Sequence, residues 1–197
     1  MHSPLCLACG AGLTSDLCSA DRFCSSCLRQ KPVFASARSV FHYQGPVKDL
    51  LHRLKFQADT RAAAALSYLF SEATSPYCAN AYDLIVPVPL FPGRLKKRGL
   101  NQALILARIF FADAPGKIEP NVLIRMRNTV AQTELSGLQR RKNVRGAFKT
   151  KTKAAVSGKR ICLVDDVYTT GATVLECAAV LAQEGAAGVD VLTCARA

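Results

Sequence analysis

The sequence predicts an α/β fold with a small metal-binding module at its N-terminus, and three observations carry that reading. Residues 159–182, KRICLVDDVYTTGATVLECAAVLA, pass from an apolar run through an acidic pair and a small-residue turn into a helical pattern. Ile161, Cys162, Leu163 and Val164 are apolar without alternation, which marks a strand buried on both faces of a parallel sheet. Val174, Leu175, Ala178, Ala179 and Leu181 then recur at helical spacing. Other short apolar runs, Leu84-Ile85-Val86 and Val122-Leu123-Ile124, alternate with helical stretches, as an α/β chain requires. Near the start, Cys6-x2-Cys9 and Cys24-x2-Cys27 have 14 residues between their inner cysteines, close to the spacing of a four-thiolate zinc site.

The N-terminal module comes first. A Cys-x2-Cys turn points both thiolates at one metal, and two such turns complete a tetrahedron with no open position for catalysis. Gly10 and Gly12 supply the knuckle turn, and Cys18 is a spare thiol, a ligand only if one of the four is not. Nine cysteines, an odd number, argue against a pure disulfide framework. MHSPLCLACG lacks the charged region and apolar core of a signal peptide. The expectation is a structural zinc ribbon over residues 1–32 and an α/β domain over residues 33–197, in a cytoplasmic protein. A chain of 197 residues suits one medium domain with such an appendage. No run of 18 apolar residues predicts a membrane span.

Along the α/β region, the alternating stretch from Ala37 to Tyr43 reads as a strand with His42 on the sheet surface. Pro46 then opens a helix with Val47, Leu50, Leu51 and Leu54 on one face and Lys55, a candidate anion contact, at its end. An Ala-rich helix covers residues 60–73. The strand of residues 84–86 is stopped by Pro87 and Pro89. A loop with Arg94, Lys96, Lys97 and Arg98 follows at its carboxyl end, where a pyrophosphate would sit. Asn101-Gln102 lead into a helix bearing Ala103, Leu104, Leu106, Ala107 and Phe110. Beyond the strand of residues 122–124, the chain to Phe148 is polar and weakly periodic, with cations placed as in a lid. Cys162 and Cys177 lie on apolar faces and read as buried thiols.

The chemistry concentrates after Val164. Asp165 and Asp166 are expected where the strand ends, followed by Thr169, Thr170, Gly171, Ala172 and Thr173 at the helix start. Unpaired backbone N–H groups and the helix dipole favour an anion there, the hydroxyls add donors, and Gly171 can take positive φ. Two carboxylates would repel a phosphate, so they must accept from vicinal hydroxyls or help hold a divalent cation. A ribose 5-phosphate meets both demands. A P-loop is excluded because no Lys follows Gly171, and the dinucleotide fingerprint because only one glycine is present. A plain helix cap needs one hydroxyl and no carboxylate pair. The net charge of +12 fits an anionic partner. Residues 91–160 hold 17 Lys and Arg against three acids, so the excess sits mid-chain, for a pyrophosphate, a nucleic-acid backbone or both.

Residues 165–173 resemble the phosphate-and-ribose motif of the type I phosphoribosyltransferases. Further motifs are Val86-Pro87-Val88-Pro89, Arg98-Gly99-Leu100-Asn101-Gln102, Arg127-x-Thr129-x2-Gln132-x2-Leu135, and Arg140-x2-Asn143-Val144-x2-Ala147-Phe148. With the cysteine pairs, these look like the ComF family, bacterial phosphoribosyltransferase-like proteins with an N-terminal zinc ribbon, some linked to competence for DNA uptake. The resemblance runs from Cys6 to about Thr193, with Leu100 where the family usually has Phe. It implies a twisted, mostly parallel sheet flanked by helices, with the site at the strands' carboxyl ends. It further implies that Asp165 and Asp166, the candidate catalytic pair, bind the ribose hydroxyls of phosphoribosyl pyrophosphate, and that residues 169–173 hold its 5-phosphate. Arg94, Lys96 and Arg98 would take the pyrophosphate, with Arg127, Arg140 and Arg141 as lid cations and Mg²⁺ bridging pyrophosphate and ribose. In the transferase reaction pyrophosphate leaves C1 as a base nitrogen attacks, and catalysis comes mainly from positioning and charge neutralisation.

Three functions are compatible with these residues. One is a Mg²⁺-dependent phosphoribosyltransferase, for which no aromatic or amide constellation in the first 80 residues names the acceptor. Another is a non-catalytic accessory of DNA uptake, with single-stranded DNA and a competence helicase as partners. The third is a zinc-ribbon adaptor for another protein. The absence of Trp, an aromatic content of 7% and the lone Phe23 in the ribbon weigh against strong base stacking.

Overall fold

The computed structural model describes residues 4–13, 23–73, 76–129 and 137–197; Cys18 and residues 130–136 of the expected lid lie outside them. The elements run α1 (Ser25–Arg29), β1 (Ser36–His42), α2 (Gly45–Gln57), α3 (Thr60–Ser71), β2 (Leu84–Pro87), α4 (Pro92–Arg98) and α5 (Gln102–Phe110). After them come β3 (Leu123–Arg125), α6 (Gly137–Val144), β4 (Phe148–Thr150), β5 (Arg160–Tyr168), α7 (Ala172–Gln183) and β6 (Gly188–Arg196).

Four strands form a wholly parallel sheet in the order β1-β6-β5-β2. β5, in its interior, explains why residues 161–164 are apolar without alternation. Ile161 and Leu163 pack on one side with Val174, Cys177, Ala178 and Leu181 of α7. Cys162 and Val164 pack on the other with Leu54 of α2, Leu66 of α3 and Leu106 of α5. Burying both faces removes any reason for a polar residue until the strand emerges at its carboxyl end.

Three expectations need correcting. β5 does not end before the acids: it pairs with β6 as far as Tyr168 opposite Arg196, so Asp165 and Asp166 lie within the strand. Ladder hydrogen bonds to β6 outweigh the poor strand propensity of Asp. The basic stretch after β2 is not a loop but helix α4, with Pro92 in its first turn and Gly99 closing it. The strand of residues 122–124 is displaced by one residue to Leu123–Arg125, and it pairs antiparallel with β4 in a separate ribbon rather than joining the sheet.

The cysteine module packs against the outer edge of β1. Cys6, Ala8 and Cys9 are buried in the same core as Ala37 and Tyr168. The Ala37 N–H donates to the Ala8 carbonyl at 2.6 Å, and Arg38 donates to the Leu7 carbonyl at 3.1 Å. Gly10 makes the approach possible. Its φ is +71°, and a Cβ there would lie 2.6 Å from the Ala37 carbonyl oxygen. Among the described residues, no helix is long and apolar enough to cross a membrane.

Candidate functional site

A cavity of about 610 Å³ opens at the carboxyl ends of β2 and β5. Its floor is the acidic pair. Asp165 accepts from the Asp166 N–H at 2.9 Å, and Asp166 accepts from the Val167 N–H at 2.7 Å. The other oxygen of Asp166 lies 4.0 Å from Lys55 Nζ on α2. Burial, and after it the adjacent Asp166 charge, push the Asp165 carboxyl up to about 8. Burial thus favours the protonated form of Asp165, and a cation brought beside it would favour the carboxylate.

Residues 169–173 lead from β5 into α7 along one side of the cavity. Thr170 Oγ1 accepts from the Ala172 N–H at 3.4 Å. Gly171 caps α7 at φ +72°, and a Cβ on it would come within 2.4 Å of the Tyr168 hydroxyl. Glycine is required twice here, for the backbone angle and for the space.

The opposite wall is cationic. Arg94 of α4 donates to the Thr129 carbonyl, and Arg98 Nη1 donates to Gln102 Oε1 at 3.1 Å. Behind them Arg125, at the end of β3, is only 8% exposed. It bonds Thr129 Oγ1 and lies over the Phe148 ring at 5.1 Å. Burial lowers the Arg125 pKa, and the Arg94 charge lowers it further. Among the described residues, none of these three guanidiniums pairs with a carboxylate, and Arg125 Nε has no hydrogen-bond partner. Gathered cations with no carboxylate in salt-bridge reach favour an anion beside them.

The fold thus brings together Asp165, Asp166, residues 169–173, Lys55, Arg94, Arg98 and Arg140 around one cavity. Lys96 is exposed on α4 and does not line it. Nor do two of the expected lid cations: Arg127 donates to the Arg145 carbonyl, and Arg141 donates to Gln30 Oε1 at 3.3 Å. Arg125 escaped the sequence reading. A cation directly after an apolar run looks like the first solvated residue past a strand. Asn101 was noticed only as part of a motif. In the fold its side chain caps α5 at the Ala103 N–H and donates to the Val88 carbonyl, fixing the cavity edge to β2.

The sulfurs of Cys6, Cys9, Cys24 and Cys27 all lie within 4.8 Å of one another, with Cys9 and Cys24 at 3.6 Å. A tetrahedron with Zn–S bonds of about 2.3 Å has edges of about 3.8 Å, so the cluster is compatible with a structural zinc ion. The Cys24 N–H points at Cys6 Sγ at 3.3 Å. Burial pushes the Cys6 thiol up, but backbone N–H donors from Cys9, Cys24 and Ala8 prevail and bring it down to about 6. Those donors favour the thiolate that a metal needs.

The fold and cavity define an α/β protein with a parallel sheet, a cavity at the strands' carboxyl ends and a four-cysteine module. No family model matches the chain. It is 34% identical over 201 residues to Competence protein F of Haemophilus influenzae, covering 98% of this chain and 85% of that protein. Identity to DNA utilization protein YhgH of Escherichia coli is 34% over 172 residues, with 85% and 75% covered. Competence protein ComFC of Bacillus subtilis is 34% identical over 170 residues, with 86% and 68% covered. Among solved structures, the chain resembles an allosteric regulatory enzyme of purine biosynthesis at a TM-score of 0.39 and 25% identity, over 66% of this chain and 24% of that one. The chain belongs to the ComF family.

Proposed function

We propose that this chain binds phosphoribosyl pyrophosphate with Mg²⁺ in the cavity above β5, as a phosphoribosyltransferase serving the DNA uptake and utilization for which its relatives are named. The observation that carries this reading is one cavity with an acidic pair on its floor, a threonine-rich helix start on one side and uncompensated arginines on the other. Few ligands other than a phosphorylated sugar with a second anionic group meet all three demands.

In this reading residues 169–173 hold the 5-phosphate, and Asp165 and Asp166 accept from the ribose hydroxyls. Arg94, Arg98 and Arg125 take the pyrophosphate, while Lys55 and Arg140 stand at the rim. Bound Mg²⁺ supplies further charge neutralisation on the pyrophosphate. The chain's contribution to transfer is to hold C1 exposed to an acceptor while arginines stabilise charge developing on the leaving group. Cys6, Cys9, Cys24 and Cys27 hold a structural zinc ion in a ribbon over residues 1–32, ahead of the domain of residues 33–197, in the cytoplasm.

A second reading, single-stranded DNA binding, is favoured by the exposed Arg127, Arg141, Lys142 and Arg145, which do not line the cavity. Calorimetric titration of phosphoribosyl pyrophosphate with Mg²⁺ into the zinc-loaded chain and its Asp165→Asn/Asp166→Asn variant separates the two. Wild-type binding weakened at least about ten-fold in the variant is expected. A folded wild type that binds nothing would sink the first reading and leave the DNA one.

A further inference from the structure

Arg196 touches both the cysteine cluster and Tyr168, which lines the cavity. We infer that Arg196 and Tyr168 are positioning residues that make ligand affinity in the cavity depend on metal in the cluster. This rests on the phosphate reading of residues 169–173. Tyr168, the last residue of β5, pairs with Arg196 of β6. Its ring is 6% exposed, and its hydroxyl lies against Gly171, where a Cβ would come within 2.4 Å. The Arg196 guanidinium stacks on that ring at 4.5 Å. The same guanidinium donates through Nη1 to the Cys9 carbonyl at 2.7 Å and reaches Cys9 Sγ through Nη2 at 3.8 Å. An unbroken path of contacts therefore runs from Cys9 through Arg196 and Tyr168 to the helix-start loop.

Charge gives the path its direction. Four thiolates around Zn²⁺ carry a net charge of about −2. Arg196 reaches one of their sulfurs, and among the described residues no carboxylate pairs with it. With metal bound, Coulomb attraction and the N–H···S contact hold the guanidinium between the cluster and the ring. Without metal nothing fixes Cys9 Sγ beside the guanidinium, and the carbonyl bond is left to hold it. A guanidinium that leaves the ring frees the phenol, and Gly171 loses the group beneath it. Lysine is no substitute, because it has neither the fork for Cys9 nor the plane for Tyr168. Coupling of this kind is reciprocal: a ligand that fixes the loop must also retain the metal.

The test uses the full chain with Co²⁺ in the cluster, whose thiolate absorption reports the site, and ribose 5-phosphate as the probe. Saturating ribose 5-phosphate is expected to alter the cobalt spectrum and slow extraction by a chelator roughly ten-fold. Arg196→Lys and Tyr168→Phe are expected to keep a four-thiolate spectrum, lose that slowing and bind the probe more weakly. Probe binding that leaves spectrum and extraction unchanged would overturn the coupling and spare the cavity reading. Slowing that persists in Arg196→Lys would overturn the role of the guanidinium. A folded wild type that fails to bind the probe would bring down the phosphate reading, and this inference with it.

Discussion

Asp165 shows how one buried side chain can tie the stability of the fold to pH. Its carboxyl is pushed up from 3.8 to about 8 by burial and by Asp166. Between those values the folded chain keeps a proton that the unfolded chain has released, so this group's stability contribution falls as pH rises through the window. Cavity water screens the effect to on the order of 2 kcal/mol. Asp165→Asn is expected to abolish the slope. In urea unfolding, the wild type should lose stability relative to the variant between pH 5 and pH 8. Parallel curves would mean that Asp165 is ionised throughout. The acidic pair was readable from sequence because no helix cap calls for two carboxylates. Arg125 was not readable, because its burial comes from Phe148 and Thr129, brought beside it by the β3–β4 ribbon.

At the scale of elements, the apolar run of β5 was visible as a doubly buried strand, but its extension through the acids depends on pairing with β6 that only the folded chain supplies. The signals for α4 were present, Pro92 at its start and Gly99 at its end, yet a dense run of cations reads as loop. Asn101 links α4, α5 and β2. Its Oδ1 caps α5 at 3.0 Å from the Ala103 N–H, its Nδ2 donates to the Val88 carbonyl at 3.1 Å, and its neighbour Gln102 holds Arg98. Asn101→Ala is expected to cost about 1–2 kcal/mol in chemical denaturation. If the cavity takes phosphoribosyl pyrophosphate, its affinity should fall as well, because the start of α5, where Gln102 holds Arg98, loses its tie to the Val88 carbonyl. An unchanged unfolding midpoint would show that the cap contributes nothing.

For the molecule as a whole, the cysteine module is part of the core. Cys6, Ala8 and Cys9 are buried with Phe34 and Ala37, and the module satisfies the Ala37 N–H on the outer edge of β1. On the far edge of the sheet, the Glu119 N–H bonds the Ile85 carbonyl beside an isolated bridge at Ile118. Both edges are thereby covered against pairing with another chain. Removing residues 1–32 is expected to lower the melting temperature by roughly 5 °C or more and to promote self-association. Calorimetry and size-exclusion chromatography check both, and a truncated chain that melts like the full one would make the module an independent bead. Cysteine spacing marks the module in the sequence; its docking does not show there, because Arg38 and Arg196 meet the module from strands far apart in sequence.

The β1–β6 pairing also sets an order in time. Ser36 and Asp190, which hydrogen-bond across it, are 154 positions apart. A ribosome must make β6 before β1 can pair with it, so the interior of the sheet closes late and slowly. Until then the early cysteines emerge without the Arg196 guanidinium that bonds Cys9 in the folded chain, and their sulfurs are open to oxidants. The topology thus leaves the cysteine module waiting for β6 before its contact with Arg196 can form.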